Sequence, residues 1–256
     1  MSERPAAAAG PLAPPPSPVD IGLVAAAPME VAPLIARLSQ VRTYKSARHK
    51  VVEGRLGDKL IAVVVAGMGR ESGRRGAEIL IQGHRPAWML SAGWGGALDP
   101  SLRRDETVFA TEVVDEHGGR FDLGLSMAPD TAGRFRPGRL LTVDAMVRTA
   151  AERAQLRYKY LADVVDMETS AVAAVCAARG VRLIALRVIS DEAGADLPPE
   201  LLAIVGPTGG YRIGAAIGSI MRRPGSLVEL LRLREHGLSA ADRLAEVVAA
   251  TVARLP

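Results

Sequence analysis

The chain is poor in the residues that disulfide, metal and membrane architectures need. It holds one cysteine in 256 residues, which excludes an intrachain disulfide. That residue, Cys176, lies in the apolar helical run AVAAVCAA and reads as a packed core thiol, since free Cys is usually buried and inert. Four histidines, His49, His84, His117 and His236, are scattered without ligand spacing, so neither a metal site nor a Ser-His-Asp triad has support. No uninterrupted run of eighteen apolar residues occurs, which speaks against a spanning helix. The net charge is only +4, and no aromatic platform or reading motif accompanies it, so nucleic acid is not an expected partner.

What is present fits one α/β domain. At 26.9 kDa and 48% hydrophobic content the chain can bury a full core. Residues 1–19 are Ala- and Pro-rich without an apolar signal core, and read as a disordered tail with cytoplasmic residence as the default. The runs IGLVAAA, LIAVVVAGMG, AWMLSAGWG, TVFATEVV, RLLTV, LADVVDM and RLIALRVIS are short, rich in Val, Ile and Leu, and bounded by Gly, Asp or Pro. Buried strands of a mostly parallel sheet have this composition. Residues 31–38, 72–83 and 169–179 carry helical spacing between them. The expected architecture for residues 20–256 is a single three-layer α/β/α sandwich around a mixed, mostly parallel sheet.

The segment from Val164 to Asp196, VVDMETSAVAAVCAARGVRLIALRVISDEAGAD, carries the chemistry. It places Glu168 at a helix mouth and Asp191 at the C-terminal end of the next strand. In a parallel sheet both positions face one crevice, where ligands bind. Either acid alone is also ordinary, as a dipole partner or a helix cap. The turn Ala66-Gly67-Met68-Gly69-Arg70 follows a strand and precedes a helix, but it lacks the third glycine and the distal acid of a dinucleotide fingerprint.

Together these stretches resemble the nucleoside phosphorylase and nucleosidase family, in which the matching segments read M-E-small and R-x-I-S-D. The likeness extends to IGLVAAAPMEVAPL, where Glu30 opens the first helix, and to the glycine turns of the segment from Val63 to Asp105. The resemblance implies cleavage of a ribosyl C–N bond in a purine nucleoside, with no cofactor and an expected homo-oligomer. It implies Asp191 as general acid at the purine N7, aided by Ser190, and Glu168 on the ribose hydroxyls with Met167 packed on the sugar. Met146 and Val165 would line the base. A raised pKa, supplied by the flanking apolar strand, would suit Asp191 to that role.

The nucleophile stays open. Glu30 would activate a water in hydrolytic members, whereas inorganic phosphate would be the co-substrate in phosphorolytic ones. Its donors would then be the amides of Gly67, Gly69, Gly93 and Trp94, with Arg70 or Arg48 as the cation. Trp94 stands where the nucleosidase branch carries a small hydroxyl residue; it either packs on the sheet or lines the base side. The compact middle, GRLLTVDAMVRTAAERAQLRYKYLADVVDMETSAVA, looks like the hopanoid-associated phosphorylase branch, which removes adenine from adenosylhopane. A methylthioadenosine or adenosylhomocysteine nucleosidase is the alternative, and a non-catalytic nucleoside-binding protein the second. From about residue 211 the chain turns basic and helical, with Arg212, Arg222, Arg223, Arg232, Arg234, Arg243 and Arg254. That is either a plain solvated face or a peripheral membrane contact for a lipid-linked adenosyl substrate.

Overall fold

The computed structural model describes residues 17–45, 49–125, 135–197 and 226–256, with side chains from 235 onward in the last segment. Arg48, Arg212, Arg222 and Arg223, the side chains of Arg232 and Arg234, and residues 1–16 of the expected tail lie outside the described residues. Val19 is not tail: it is buried, and its N–H donates to the His84 carbonyl oxygen.

Two-sided burial organises the centre. Strand β1 (Ile21–Ala25) is buried at every position. Its alternation sends Ile21, Leu23 and Ala25 into one cluster, with Val31 and Leu34 of α1 (Pro28–Ala36) and Leu244 and Val248 of α5 (Ser226–Val252). Val24 points the other way, to Ala77 and Leu80 of α2 (Arg70–His84) and Val172 and Cys176 of α4 (Thr169–Arg179). The sheet is thus the middle of three layers, and each fully buried Leu stabilises it by roughly 1.5–3 kcal/mol. Burial pushes the Cys176 thiol up to about 12, as an inert core residue requires. Among the described residues no helix is long and apolar enough to cross a membrane.

Strands β4 (Lys59–Val65), β1, β5 (Trp88–Ala97) and β10 (Arg182–Asp191) run parallel in that order. β10 then pairs antiparallel with β6 (Thr107–Asp115), which runs parallel to β8 (Phe135–Thr142). β8 runs parallel to β9 (Val164–Asp166), and β9 returns antiparallel to the end of β5, with Gly96 opposite Val165 and Ala97 opposite Val164. The ladder therefore closes on itself through β5, β10, β6, β8 and β9. Closure demands close approach: a Cβ on Gly95 would lie 2.6 Å from Val164 Cγ2. It also sets Gly95 and Gly96, Val165 and Asp166, and Ser190 and Asp191 side by side.

The expected strands all form, and the three expected helices form with ends shifted by at most three residues. Four elements have no readable pattern. β2 (Ser39–Lys45) is an exposed edge, and β3 (Lys50–Leu56) carries a buried Glu53 whose Oε2 lies 3.3 Å from His84 Nδ1. β7 (Arg120–Asp122) has three residues. α3 (Ala150–Tyr160) has no apolar stripe, because its one buried residue is Arg153.

Candidate active site

The closed circuit and the α1 and α4 N-termini border one cleft of about 170 Å³, lined among others by Glu30, Trp94, Met146, Val165, Met167, Glu168, Ser190 and Asp191. A narrow inner end adds Ser91, Gly93 and Arg187 and shares Glu30, Trp94 and Glu168. The three expected carboxylates thus meet in one hollow, with Asp166 as a fourth.

Glu30 is held by the local geometry of α1. No side chain caps this helix at Ala27, so the Glu30 carboxylate folds back and accepts from Ala27 N–H (2.8 Å) and Ala26 N–H (3.0 Å). Its other oxygen accepts from Trp94 N–H at 3.0 Å. Gly93 permits this approach, because a Cβ there would lie 2.9 Å from Glu30 Oε1. Only 5% of the residue is exposed. Burial raises its pKa above the usual carboxylate range, against the lowering by Trp94, Ala27 and Ala26 N–H groups and the Arg187 charge.

Glu168 occupies the N-cap position of α4 but does not cap it. Its Oε1 accepts from Gly69 N–H at 2.7 Å and its Oε2 from Met167 N–H at 3.3 Å. Burial first, then the neighbouring Asp166 charge, push its pKa up to about 8; Arg187 and the Gly69 amide oppose them, and the Glu30 charge adds to the rise. Asp191 accepts from Ser190 Oγ at 2.5 Å through Oδ1, and its Oδ2 pairs with the Arg153 guanidinium. The expected apolar wall around Asp191 is therefore interrupted by a buried cation.

Three of the four amides expected to bind phosphate are otherwise engaged, and Gly93 lines the inner end of the cleft. Gly67 N–H donates to the Ala26 carbonyl oxygen, Gly69 N–H to Glu168 and Trp94 N–H to Glu30. Arg70 is not among the residues lining the cleft: its Nη1 donates to Ser170 Oγ at 2.8 Å and pairs with Asp115 at 3.0 Å, and Nε lies 3.7 Å from Asp144. At the first position of α2 its side chain leaves the Gly69 turn toward β6 rather than the cleft. Trp94 lines the cleft, and its ring tip packs against Gly237 of α5. Met146 and Val165 sit on the cleft wall beside Asp191.

Two further residues belong to the site. Arg187, the R of R-V-I-S-D, donates through Nη2 to Asp166 (2.5 Å), Thr169 Oγ1 (2.6 Å) and Ser91 Oγ (3.0 Å), and puts a buried positive charge beside Glu30 and Glu168. The motif itself is the sequence signal for it. Arg153 has none, being one of several arginines on a polar helix. Glu116, His117 and Asp144 are the one grouping of metal-ligand side chains among the described residues; all three are exposed, and the group lies outside the cleft lining.

The family model described as the Phosphorylase superfamily matches residues 20–132 and 125–210. A 5′-methylthioadenosine/S-adenosylhomocysteine nucleosidase of Shewanella loihica is 27% identical over 208 residues, 70% of this chain and 89% of its own length. The protein of that name from Actinobacillus succinogenes is 25% identical over 195 residues, 67% and 85% of the two chains. In fold, the Campylobacter jejuni 5′-methylthioadenosine/S-adenosyl homocysteine nucleosidase matches with a TM-score of 0.71 at 19% identity, over 93% of this chain and 100% of that one. The futalosine hydrolase of Helicobacter pylori matches with a TM-score of 0.70 at 17% identity, over 94% and 98%. With that family model matching residues 20–132 and 125–210, most of the chain, the chain belongs to the phosphorylase superfamily and is one of its enzymes.

Proposed function

We propose that the chain is a nucleosidase that hydrolyses the N-ribosyl bond of an adenosyl compound. The observation that carries the reading is Glu30, a buried carboxylate of raised pKa at the inner end of a cleft shared with Glu168 and Asp191. A carboxylate held by three amides cannot turn away, and burial, which raises its pKa, makes it a stronger base than an exposed carboxylate. In this reading Glu30 takes the proton of the attacking water while the oxygen bonds to C1′. The C1′–N9 electron pair leaves with the purine, whose N7 takes a proton from Asp191, the general acid that the family likeness implies. Glu168 and Met167 hold the ribose, and Asp191, Ser190, Met146 and Val165 hold the base. The curated relatives point the same way, since their names describe nucleosidases of adenosyl thioethers.

Phosphorolysis of a lipid-linked adenosyl compound, such as adenosylhopane, is supported by the compact middle segment but not by donor geometry. Among the described residues, Arg70 is turned to Asp115, and the Gly67, Gly69 and Trp94 amides are engaged. Assembly as a cytoplasmic homo-oligomer belongs to the proposal through the family likeness.

The test is adenine release from methylthioadenosine, adenosylhomocysteine and an adenosylhopane extract, each with and without phosphate, with Asp191→Asn as the blank. Release from the thioethers independent of phosphate is the expected result. Phosphate-dependent release from the lipid alone would move the chain to the phosphorolytic branch. No release from any substrate would sink the enzymatic assignment.

A further inference from the structure

The cleft has two side walls, because the sheet beneath it is the middle of three layers. On the α2 and α4 side stands Glu168, bonded to Gly69 N–H; a Cβ on Gly73 of α2 would lie only 3.0 Å from its carbonyl oxygen. On the α1 and α5 side stands Trp94, packed against the core cluster that α1, β1 and α5 share. Its indole N–H is buried and meets no acceptor among the described residues, so packing holds the ring. The seat for that ring is cut into α5. Gly237 lies in the interior of this 27-residue helix, where alanine would hold the helix better. A Cβ there would lie 3.0 Å from Trp94 Cη2, 3.6 Å from its Cζ2 and 3.7 Å from Met29 Cε. The same turn of α5 is fixed on both sides of the glycine: Arg104 Nη1 lies 2.8 Å from His236 Nε2, and Ser239 Oγ donates to Asp105 Oδ2 at 2.7 Å. The helix is thus pinned beside the ring rather than free to back away.

Resting on the nucleosidase reading, we infer that Trp94, seated on Gly237, is the specificity-determining wall for the substituent on C5′, and that it favours adenosyl compounds whose C5′ group is short. With the ribose hydroxyls on Glu168 and C1′ facing Glu30, the hydroxyl edge of the sugar looks to the α2 and α4 wall. The far side of the ring, O4′ and C4′ with its C5′ substituent, then looks to the α1 and α5 wall, where Trp94 stands. Room there is scarce: the cleft holds about 170 Å³, below the roughly 300 Å³ at which small-molecule sites ordinarily begin. A methylthio group is compact and apolar, and lies well against an indole face. A homocysteinyl group is longer and ends in charge, and the indole would strip its carboxylate of water without pairing it.

The experiment measures kcat/KM for adenine release from methylthioadenosine and adenosylhomocysteine in the parent, Trp94→Ala and Gly237→Ala. The parent should prefer methylthioadenosine by about tenfold or more, the scale on which a shaped pocket separates substrates that differ by a small group. Trp94→Ala keeps the backbone N–H that donates to Glu30 and should remove most of that preference. Gly237→Ala favours the helix and pushes the ring into the cleft, so the preference should widen. A folded Trp94→Ala that keeps the parent's ratio would overturn the inference, as would a parent that takes both thioethers alike. Should Trp94→Ala fail to fold, Gly237→Ala decides: a wider ratio supports the wall, and an unchanged one overturns it. A parent that releases adenine from neither thioether fails the proposed function, and calorimetric binding of the two compounds then tests the wall separately. Tighter binding of methylthioadenosine in the parent, levelled in Trp94→Ala, leaves the wall standing; equal binding in the parent overturns it.

Discussion

Replacing Glu30 by Gln should lower the turnover of the preferred adenosyl substrate by about 10²- to 10⁴-fold, the usual contribution of a positioned general base. Gln is nearly isosteric, and its amide oxygen can still accept from Trp94 N–H or from the Ala26 and Ala27 amides, so the fold should survive. Because burial raises the Glu30 pKa, the parent should lose activity as the pH falls, along a limb lying above the ordinary carboxylate range. The variant's residual rate should lack that limb. Steady-state rates from pH 4.5 to 9 read both effects. A drop of less than tenfold, with the limb intact, would remove Glu30 from the proton-transfer step and favour phosphate as nucleophile.

The second large effect is on stability. A carboxylic acid with pKa about 8 in the folded chain and 4.5 as its reference value binds a proton in the native state that the unfolded chain has released. Its stabilising contribution is complete below pH 4.5 and is lost as the pH rises through 8. Each tenfold difference in proton affinity between the folded and unfolded chain is worth about 1.4 kcal/mol. Discounted for the partial solvent contact of Glu168, the loss is on the order of 3 kcal/mol. Glu168→Gln should therefore match the parent near pH 4.5 and exceed it at pH 9, measured by urea unfolding at both pH values. Parallel stability profiles would show that Glu168 ionises normally. The same substitution should raise KM above pH 8, where Glu168 is a carboxylate that accepts two ribose hydroxyls, whereas an amide oxygen accepts in one direction only.

The strands around the site are legible in the sequence because they are buried on both faces: IGLVA and RLIALRVIS read as continuous apolar runs. The acids are legible because a helix mouth and a strand end fix where Glu30, Glu168 and Asp191 point. Arg70 departs from its expected place by the ligand because adjacency to Gly69 does not determine which side of the turn a long side chain leaves. Arg153 is invisible for a different reason. Its burial depends on Gly96 and Asp191, residues 57 and 38 positions away, and nothing in α3 itself distinguishes it from Arg157. The edge strand β2 escapes notice because its exposed face has no hydrophobic alternation to read.

The closed circuit of strands has a kinetic meaning as well. Its two closing seams join β6 to β10 and β5 to β9, pairs about 70–80 residues apart in the chain. The β1–β4 pairing and the β2–β3 and β3–β4 hairpins span shorter separations and can form first. A folding chain can therefore hold this half of its sheet while Gly96, Val165 and Asp191 are still apart. In such an intermediate the three carboxylates share no hollow, so competence for substrate arrives with the last seam to close rather than with the bulk of the core.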